Sequence, residues 1–495
     1  MRVLLVHPPL TGKERYGKYA ESGSYLPPLG LCYIAAVLEK EGVDVRIVDG
    51  LCLNLTIEDV LREIGEYRPD MVGLSAYSIA CERTRELARR IKEQEPVPVV
   101  IGGPHVTVFG EEVLQDDCFD VAVFGEGEYT TLELVRALEE GREDLGDIQG
   151  IAFRRNGGIV RTPDRGYIQD LDSLPFPARH LLPPLDTYHP TPMVYRRRPV
   201  TSMVSSRGCP FQCIFCERIM GEQYRVHSAE RVVNEMEDLV ERYGIKEFTF
   251  YEDNFAVSKE RVFRICELLH ERGLRVSWSC EAHANVLTRD TIGAMKEAGC
   301  WLLSIGIESG DQRVLDFIQK GTTLERIRRV VGWCDEAGIR VRGYFMIGNP
   351  TETRETIRRT IDFAKSLPLH TVNFCLIFLN RGSKLYDIAR QYGEVDMDPS
   401  LVTGHPGGDS IGFVPDGLSR EYLVNIQKRA YREFYLRPAQ VLRMMRDLNS
   451  AESFRRYYSM ARTFARVTWP TRSRGESSDT QVKGVRGTSG ARDLA

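Results

Sequence analysis

The chain has 495 residues, 66 Lys and Arg against 70 Asp and Glu, a formal net charge of −4 and 12 cysteines. The length suits two or three domains, and the balanced charge excludes the basic footprint of a nucleic-acid-binding protein. No apolar run approaches the roughly 18 residues of a membrane helix, most cysteines stand singly rather than in a disulfide framework, and Met1-Arg-Val-Leu-Leu-Val enters a strand pattern with no leader ahead of it, so a reduced, cytoplasmic setting is expected.

Over residues 1–140, short β-rich apolar runs alternate with helical patterns. Val3–Val6, Val45–Val48, Met71–Ser75, Val97–Ile101 and Val121–Phe124 read as strands; Gly30–Glu41, Ile57–Tyr67, Cys81–Glu95 and Tyr129–Glu140 read as helices. Such alternation predicts an α/β fold, a doubly wound parallel sheet with helices on both faces. Ligands of these sheets sit beyond the carboxyl ends of the strands. The loops there are His7-Pro-Pro, Ser75-Ala-Tyr-Ser, Gly102-Gly103-Pro-His105 and Gly125-Glu126-Gly-Glu128. Small residues at such ends let backbone approach a bulky ligand, while His7 and His105, taken singly, read as turn histidines bonding backbone groups.

Residues 141–199 are rich in turns and proline, as a bridge between domains is. Alternation resumes over residues 200–380. Strands are expected at Thr201–Ser205, Glu247–Tyr251, Arg275–Ser279, Trp301–Ile307, Arg340–Ile347 and Thr371–Phe378, with helices such as Ala229–Tyr243 and Thr323–Ala337 between them. Six such units predict a partial (β/α)6 barrel with its site at the carboxyl ends of the strands. Residues 381–467 leave this pattern for helices at Leu418–Leu436 and Pro438–Leu448, broken at Arg437-Pro438. Their basic, aromatic surface suits a helical cap, with an anionic membrane or an acidic or lipid-like substrate as alternatives. Residues 468–495 read as a disordered tail.

After the first barrel strand comes Cys209-Pro-Phe-Gln-Cys213-Ile-Phe-Cys216. Three thiolates fall one short of a tetrahedral zinc site, with no second CxxC or His pair nearby. They also fall one short of the usual four ligands of an iron–sulfur cluster, which would leave one iron open. Buried core thiols are the alternative, but these seldom cluster on a Gly/Pro loop such as Arg207-Gly208-Cys209-Pro210.

The CxxxCxxC spacing, with Phe215 before its last cysteine, resembles the signature of the radical S-adenosylmethionine (SAM) enzymes. The resemblance implies a 4Fe–4S cluster on Cys209, Cys213 and Cys216, an open iron that binds the amino and carboxylate groups of SAM, and cleavage of SAM to methionine and a 5′-deoxyadenosyl radical. The loops of the first region, with Pro27-Pro-Leu-Gly30, resemble the cobalamin-binding domain that precedes many radical SAM cores. That implies corrin contacts at His7, Ser75, Gly102, Gly103, His105, Gly125 and Glu126. One departure matters: His7-Pro-Pro-Leu-Thr-Gly-Lys does not match the Asp-x-His-x-x-Gly loop that places a histidine beneath cobalt. Cobalamin bound without that histidine, or a domain that has lost cobalamin, is expected.

Glu252 and Asp253 follow the second barrel strand. Neighbours on an extended chain point opposite ways, which argues against a concerted dyad; the resemblance places them near the amino group of SAM, and a solvated turn is the alternative. Glu308 in Gly306-Ile-Glu308-Ser309-Gly310 resembles a family segment whose carboxylate meets the ribose hydroxyls, Ser309 reading also as a helix cap. Gly348 belongs to a segment similar to one that packs on adenine, and Phe215 belongs to the same SAM site. His283 stands where many relatives have arginine, so a fixed charge is replaced by a group that titrates.

The resemblance implies a cobalamin-dependent radical SAM methyltransferase acting on an unactivated carbon. A cobalamin-dependent cyclase or oxidase without methyl transfer shares every motif, and a non-catalytic cofactor sensor is the third alternative. The expected partners are a hydrophobic or anionic small-molecule substrate and an external electron donor such as flavodoxin or ferredoxin, with no nucleic acid, no transmembrane segment and at most peripheral membrane contact.

Overall fold

The computed structural model describes residues 1–17, 20, 23–396, 411–448 and 450–468; the tail expected over 468–495 lies outside them except for Thr468, which ends a helix from Ala451. In the first half, β1 (Arg2–His7), β2 (Asp44–Asp49), β3 (Met71–Ser75), β4 (Val99–Gly102) and β5 (Val121–Val123) pair in parallel in the order β2-β1-β3-β4-β5. Alternate residues of each strand face opposite ways. Val3 and Leu5 therefore pack under helices Leu29–Lys40 and Gly127–Glu139, while Leu4 and Val6 pack under Ile57–Tyr67 and Cys81–Gln94. The order reverses at β1/β3, where the loops diverge and open a crevice.

The sheet does not stop at residue 140. β6 (Ile151–Arg155) pairs antiparallel with β5, and β7 (Gly158–Arg161) antiparallel with β6, so the bridge expected from 141 begins instead after Arg161. The overlooked signal is Asn156-Gly157, both at positive φ, the preferred two-residue hairpin turn.

β8 (Val200–Met203), β11 (Glu247–Phe250), β12 (Ser277–Ala282), β13 (Cys300–Glu308), β14 (Arg340–Ile347) and β15 (Thr371–Leu376) form a six-stranded parallel sheet in the order β15-β14-β13-β12-β11-β8. Helices cover its outside, as a partial barrel requires. β9 (Ser206–Arg207) and β10 (Arg225–Val226) make a short antiparallel hairpin after β8, and β16 (Gly393–Val395) with β17 (Phe413–Pro415) make another.

An open barrel leaves β15 with a free edge, which would invite pairing with another chain. Helix Arg420–Tyr435 covers it with side chains. Tyr431 Oη accepts from Phe374 N and Tyr435 Oη from Val372 N, each at 3.1 Å, while Gln427 Nε2 donates to Phe374 O at 2.7 Å. These aromatic residues of the basic helix are thus turned onto the barrel.

Candidate active site

The cysteine loop is held by buried polar contacts. At the end of β8 the Glu252 carboxylate accepts from the backbone N–H of Ser205 and Ser206 and from both hydroxyls. This fixes the bend into β9, and the β9–β10 hairpin then closes the loop that carries the cysteines. Gly208 sits at φ +82°, where a Cβ would strike the carbonyl of Gln223. Within the loop, Ile214 N donates to Ile318 O at 3.1 Å, and the Phe211 ring stacks on His283 with centroids 3.8 Å apart. His283 accepts from Asn285 N at Nδ1 and reaches Lys320 O with Nε2 at 3.0 Å, which sets the tautomer. Burial and the Lys320 charge push it down to about 3, so a neutral ring wedges the loop.

The three thiols feel one another. Burial raises each of them; for Cys213 the Lys320 ammonium opposes burial while Glu308 and the other two thiols add to it, leaving it at about 11. Among the described residues no three His, Cys, Asp or Glu side chains close around a single ion. Three unbridged thiols that share one cation suit a larger, sulfide-bridged cluster, whose irons spread their ligands apart.

Opposite the loop lies an ion pair. Lys320 Nζ is 2.9 Å from Glu308 Oε1, and both are buried. Burial opposes the Lys320 charge, but Glu308 and Cys213 hold it protonated. Glu308 sits at φ +66° beside a register shift between β13 and β14, a strained backbone of the kind found at functional sites. A Cβ at Gly306 would press on Glu308 Oε1 and come within 2.7 Å of Lys320 Nζ, so a larger residue there would displace the tips of this pair. Phe215 lies beside the same ammonium, 5.8 Å from its ring centroid. Lys320 belongs to no motif; only its place after helix Gln312–Phe317 brings it here.

The other expected SAM contacts divide. Asp253 faces the loop, its charge bearing on Cys209 and Cys216, and the crowded mouth pushes its own carboxyl up. Glu252 points the other way into the bend just described, and all its contacts are to the chain. Ser309 is fully buried, bonded to Thr360 at 3.1 Å and to Asp311 N at 3.2 Å. Gly348, at φ +96°, donates its N–H to Glu352 and packs under Leu423. Glu252, Ser309 and Gly348 thus shape the walls, while Asp253, Glu308 and Phe215 converge on the cysteines.

A cavity of about 240 Å3 lies at the carboxyl ends of the first sheet. Its walls include Ser75, Gly102, Gly103, Gly125 and Glu126 of the expected contacts, and no histidine. His7 is instead buried against Asp49 at 2.9 Å. His105 lies 3.0 Å from Cys81 Sγ, stacks on Phe109, and is pushed down to about 4 by burial. The far wall is Val204, Arg207, Ile219 and Met220, the last two only a few residues past Cys216. Glu126 does more than line this space: it pairs with Arg207 and Arg225, at 2.8 Å each, and Glu128 pairs with Arg207 at 2.6 Å. Both strands of the cysteine hairpin are thereby clamped to the first sheet through buried charges.

Residues 19–135 match the family described as B12 binding domain, and residues 203–364 match the Radical SAM superfamily. A protein of Pyrococcus horikoshii named as an uncharacterized methyltransferase is 36% identical over 458 residues, covering 90% of this chain and 94% of that one. An anaerobic magnesium-protoporphyrin IX monomethyl ester cyclase of Rubrivivax gelatinosus is 31% identical, covering 89% of this chain and 78% of the cyclase. Among solved structures, the fold is shared with the radical SAM methyltransferase TsrM of Kitasatospora setae, solved with cobalamin and a 4Fe–4S cluster (TM-score 0.67, 20% identity, 88% and 89% of the two chains). It is shared also with the cobalamin-dependent radical SAM enzyme OxsB (TM-score 0.70, 16% identity, 94% and 71%).

Proposed function

The chain belongs to the cobalamin-dependent radical SAM enzymes, a family of methyltransferases and related ring cyclases, and from that premise we propose that it methylates an unactivated carbon of a small molecule. The observation that carries the reading is the shared wall: Ile219 and Met220 of the cysteine loop line the same cavity as Gly102, Gly103 and Gly125 of the first sheet. A corrin seated there lies against the loop that holds the cluster.

In this reading Cys209, Cys213 and Cys216 hold the 4Fe–4S cluster, and Asp253, Glu308 and Phe215 lie around SAM. When bound, the cluster supplies the electron that cleaves SAM to a 5′-deoxyadenosyl radical, and cobalamin supplies a cobalt centre able to carry a methyl group. Lys320 offsets negative charge beside the thiolates and holds Glu308 in place. The Phe211–His283 stack and the Glu252 bend keep the loop rigid, so that the three sulfurs stay in register. The glycines at the strand ends would leave room for a flat corrin, and His7, bound to Asp49, would not be available to it. An external donor such as flavodoxin or ferredoxin delivers the electron, in the cytoplasm. Among the described residues no helix is long and apolar enough to cross a membrane. Exposed Leu442, Met445 and Phe454 near Arg443, Arg446 and Arg455 support peripheral contact.

A cyclisation or oxidation outcome is the second reading, favoured by the likeness to the Rubrivivax cyclase. Methyl-labelled SAM with the reconstituted protein separates the two. Label in a product together with S-adenosylhomocysteine is the expected result; a product without either removes methyl transfer. SAM cleavage unaffected by Cys213→Ala would remove the cluster assignment.

A further inference from the structure

Parallel barrels ordinarily fill their interior with branched apolar side chains, but the inner face of this one is polar. On β14, Val341, Phe345 and Ile347 are buried outward while Arg342, Tyr344 and Met346 remain partly accessible inside. On β13, Leu303, Ile305 and Ile307 join the outer core, leaving Ser304, Gly306 and Glu308 inward. On β15, Val372 and Phe374 pack outward, leaving Thr371 and Asn373 within. The register aligns Glu281, Ser304, Arg342 and Thr371 in one row across four strands.

Two groups in that row lack partners. The Arg342 guanidinium lies 4.8 Å from the Tyr344 ring centroid, and among the described residues no ion pair or hydrogen bond is made to it. Thr371 Oγ1, in a residue 5% exposed, has no hydrogen-bond partner. Glu281 accepts from Tyr344 Oη at 3.2 Å, with its other oxygen uncommitted. A buried hydroxyl without a partner is costly unless something completes it, and the guanidinium beside it, partly accessible and set only against the Tyr344 ring, is free to take an anion. The opposite end of the barrel is closed by Trp301, covered by Arg196 at 4.3 Å and bonded to Glu247 at 3.1 Å. The row therefore opens toward the cysteine loop, past Tyr251, which stands 60% exposed at the mouth.

We propose that this row anchors the substrate: Arg342 and Thr371 Oγ1 hold an anionic oxygen group, a carboxylate or a phosphate, of a small polar molecule, and Glu281 accepts from a neighbouring donor group of the same molecule. The proposal rests on the radical SAM reading for the direction from which the substrate enters. It lies below the SAM contacts: Arg342 stands three residues before Phe345, the register partner of Glu308, roughly 10 Å deeper along the strand, whereas Glu308, Lys320 and the thiols cluster at the strand ends.

The test titrates the cluster- and cobalamin-loaded protein, saturated with SAM and without reductant, with phenyl phosphate, phenylacetate and neutral benzyl alcohol by calorimetry. At least one anion should bind tighter than benzyl alcohol by about ten- to a hundred-fold, the span of a charge-assisted hydrogen bond. Arg342→Gln should remove that preference, and Thr371→Val, which keeps the shape, should remove part of it. If Arg342→Gln fails to load its cofactors, Thr371→Val decides. Equal binding of neutral and anionic probes, no binding of any probe, anion binding untouched by the variants, or exclusion of the probes by SAM each overturns the proposal. SAM cleavage and label transfer are read on the unsubstituted protein, so the functional reading stands or falls separately.

Discussion

Replacing Glu126 with Gln tests whether the two domains are joined by charge. The carboxylate accepts from Arg207 Nη1 at 2.8 Å, from Arg225 Nη1 at 2.8 and 2.9 Å, and from Ile168 N at 2.6 Å. Both arginines are buried, Arg225 with 2% of its side chain exposed. Removing one partner of a buried pair leaves an uncompensated charge and costs about 3–5 kcal/mol. Arg207 keeps Glu128, whereas Arg225 keeps only the carbonyls of Ile168 and Met220 and the face of Tyr167. The lower end, about 3 kcal/mol, is therefore expected. Little of that loss touches either sheet; it falls on the cavity wall and the cysteine hairpin. If it is expressed at the cavity, cobalamin affinity falls by roughly a hundred-fold, read from a titration of visible absorption. Amide exchange should quicken between Gly208 and Tyr224 and stay slow in β1 and β3. Glu128→Gln should do less, because Glu126 still serves both arginines. Unchanged cobalamin affinity and unchanged exchange in Glu126→Gln, or a larger effect from Glu128→Gln, would refute the clamp.

Glu352 carries a pH prediction. Burial pushes its carboxyl up to about 7, against the Asn349 and Gly348 N–H groups that favour ionisation. Its Oε1 lacks a hydrogen-bond partner, so burial favours the protonated acid. The folded chain binds that proton below pH 7 while the unfolded chain releases it above its ordinary value of 4.5. Stability is thus lost as pH rises between those values, by roughly 3 kcal/mol in all. Glu352→Gln should flatten that slope in urea unfolding from pH 5 to 8, and an unaltered slope would count against the assignment. At the barrel edge, Tyr431→Phe with Tyr435→Phe should strand the Phe374 and Val372 N–H groups, at about 1–3 kcal/mol each. Faster exchange of those two amides is the expected signal, and unchanged rates would show that the edge is held by other means.

Much of the fold and part of the site were legible along the chain. Alternating apolar periods gave both parallel sheets, and the cysteine spacing with its Gly/Pro loop gave the metal chemistry, because these are properties of neighbouring residues. The opposed directions of Glu252 and Asp253 also followed from the pleat, and the structure turns one into the bend and the other toward the thiols. The Asn156-Gly157 turn is a local hairpin signal set amid residues of bridge-like composition.

Other features depend on partners far apart in sequence. Glu126 meets Arg225 across 99 positions and Glu308 meets Lys320 across 12; no period or spacing joins them, so a loop carboxylate looked like a ligand contact while it was also a clamp. His7, an implied corrin contact, is instead held by Asp49 on the neighbouring strand. The polar barrel lining was equally hidden, since a strand covered on both faces shows which residues alternate but not which set faces inward. The sequence by itself determined the domain classes and the three thiols, through local periodicity and composition. Only the tertiary structure decided which charges pair, which face is the lumen, and that cavity and cysteine loop share a wall, because those depend on how distant strands align.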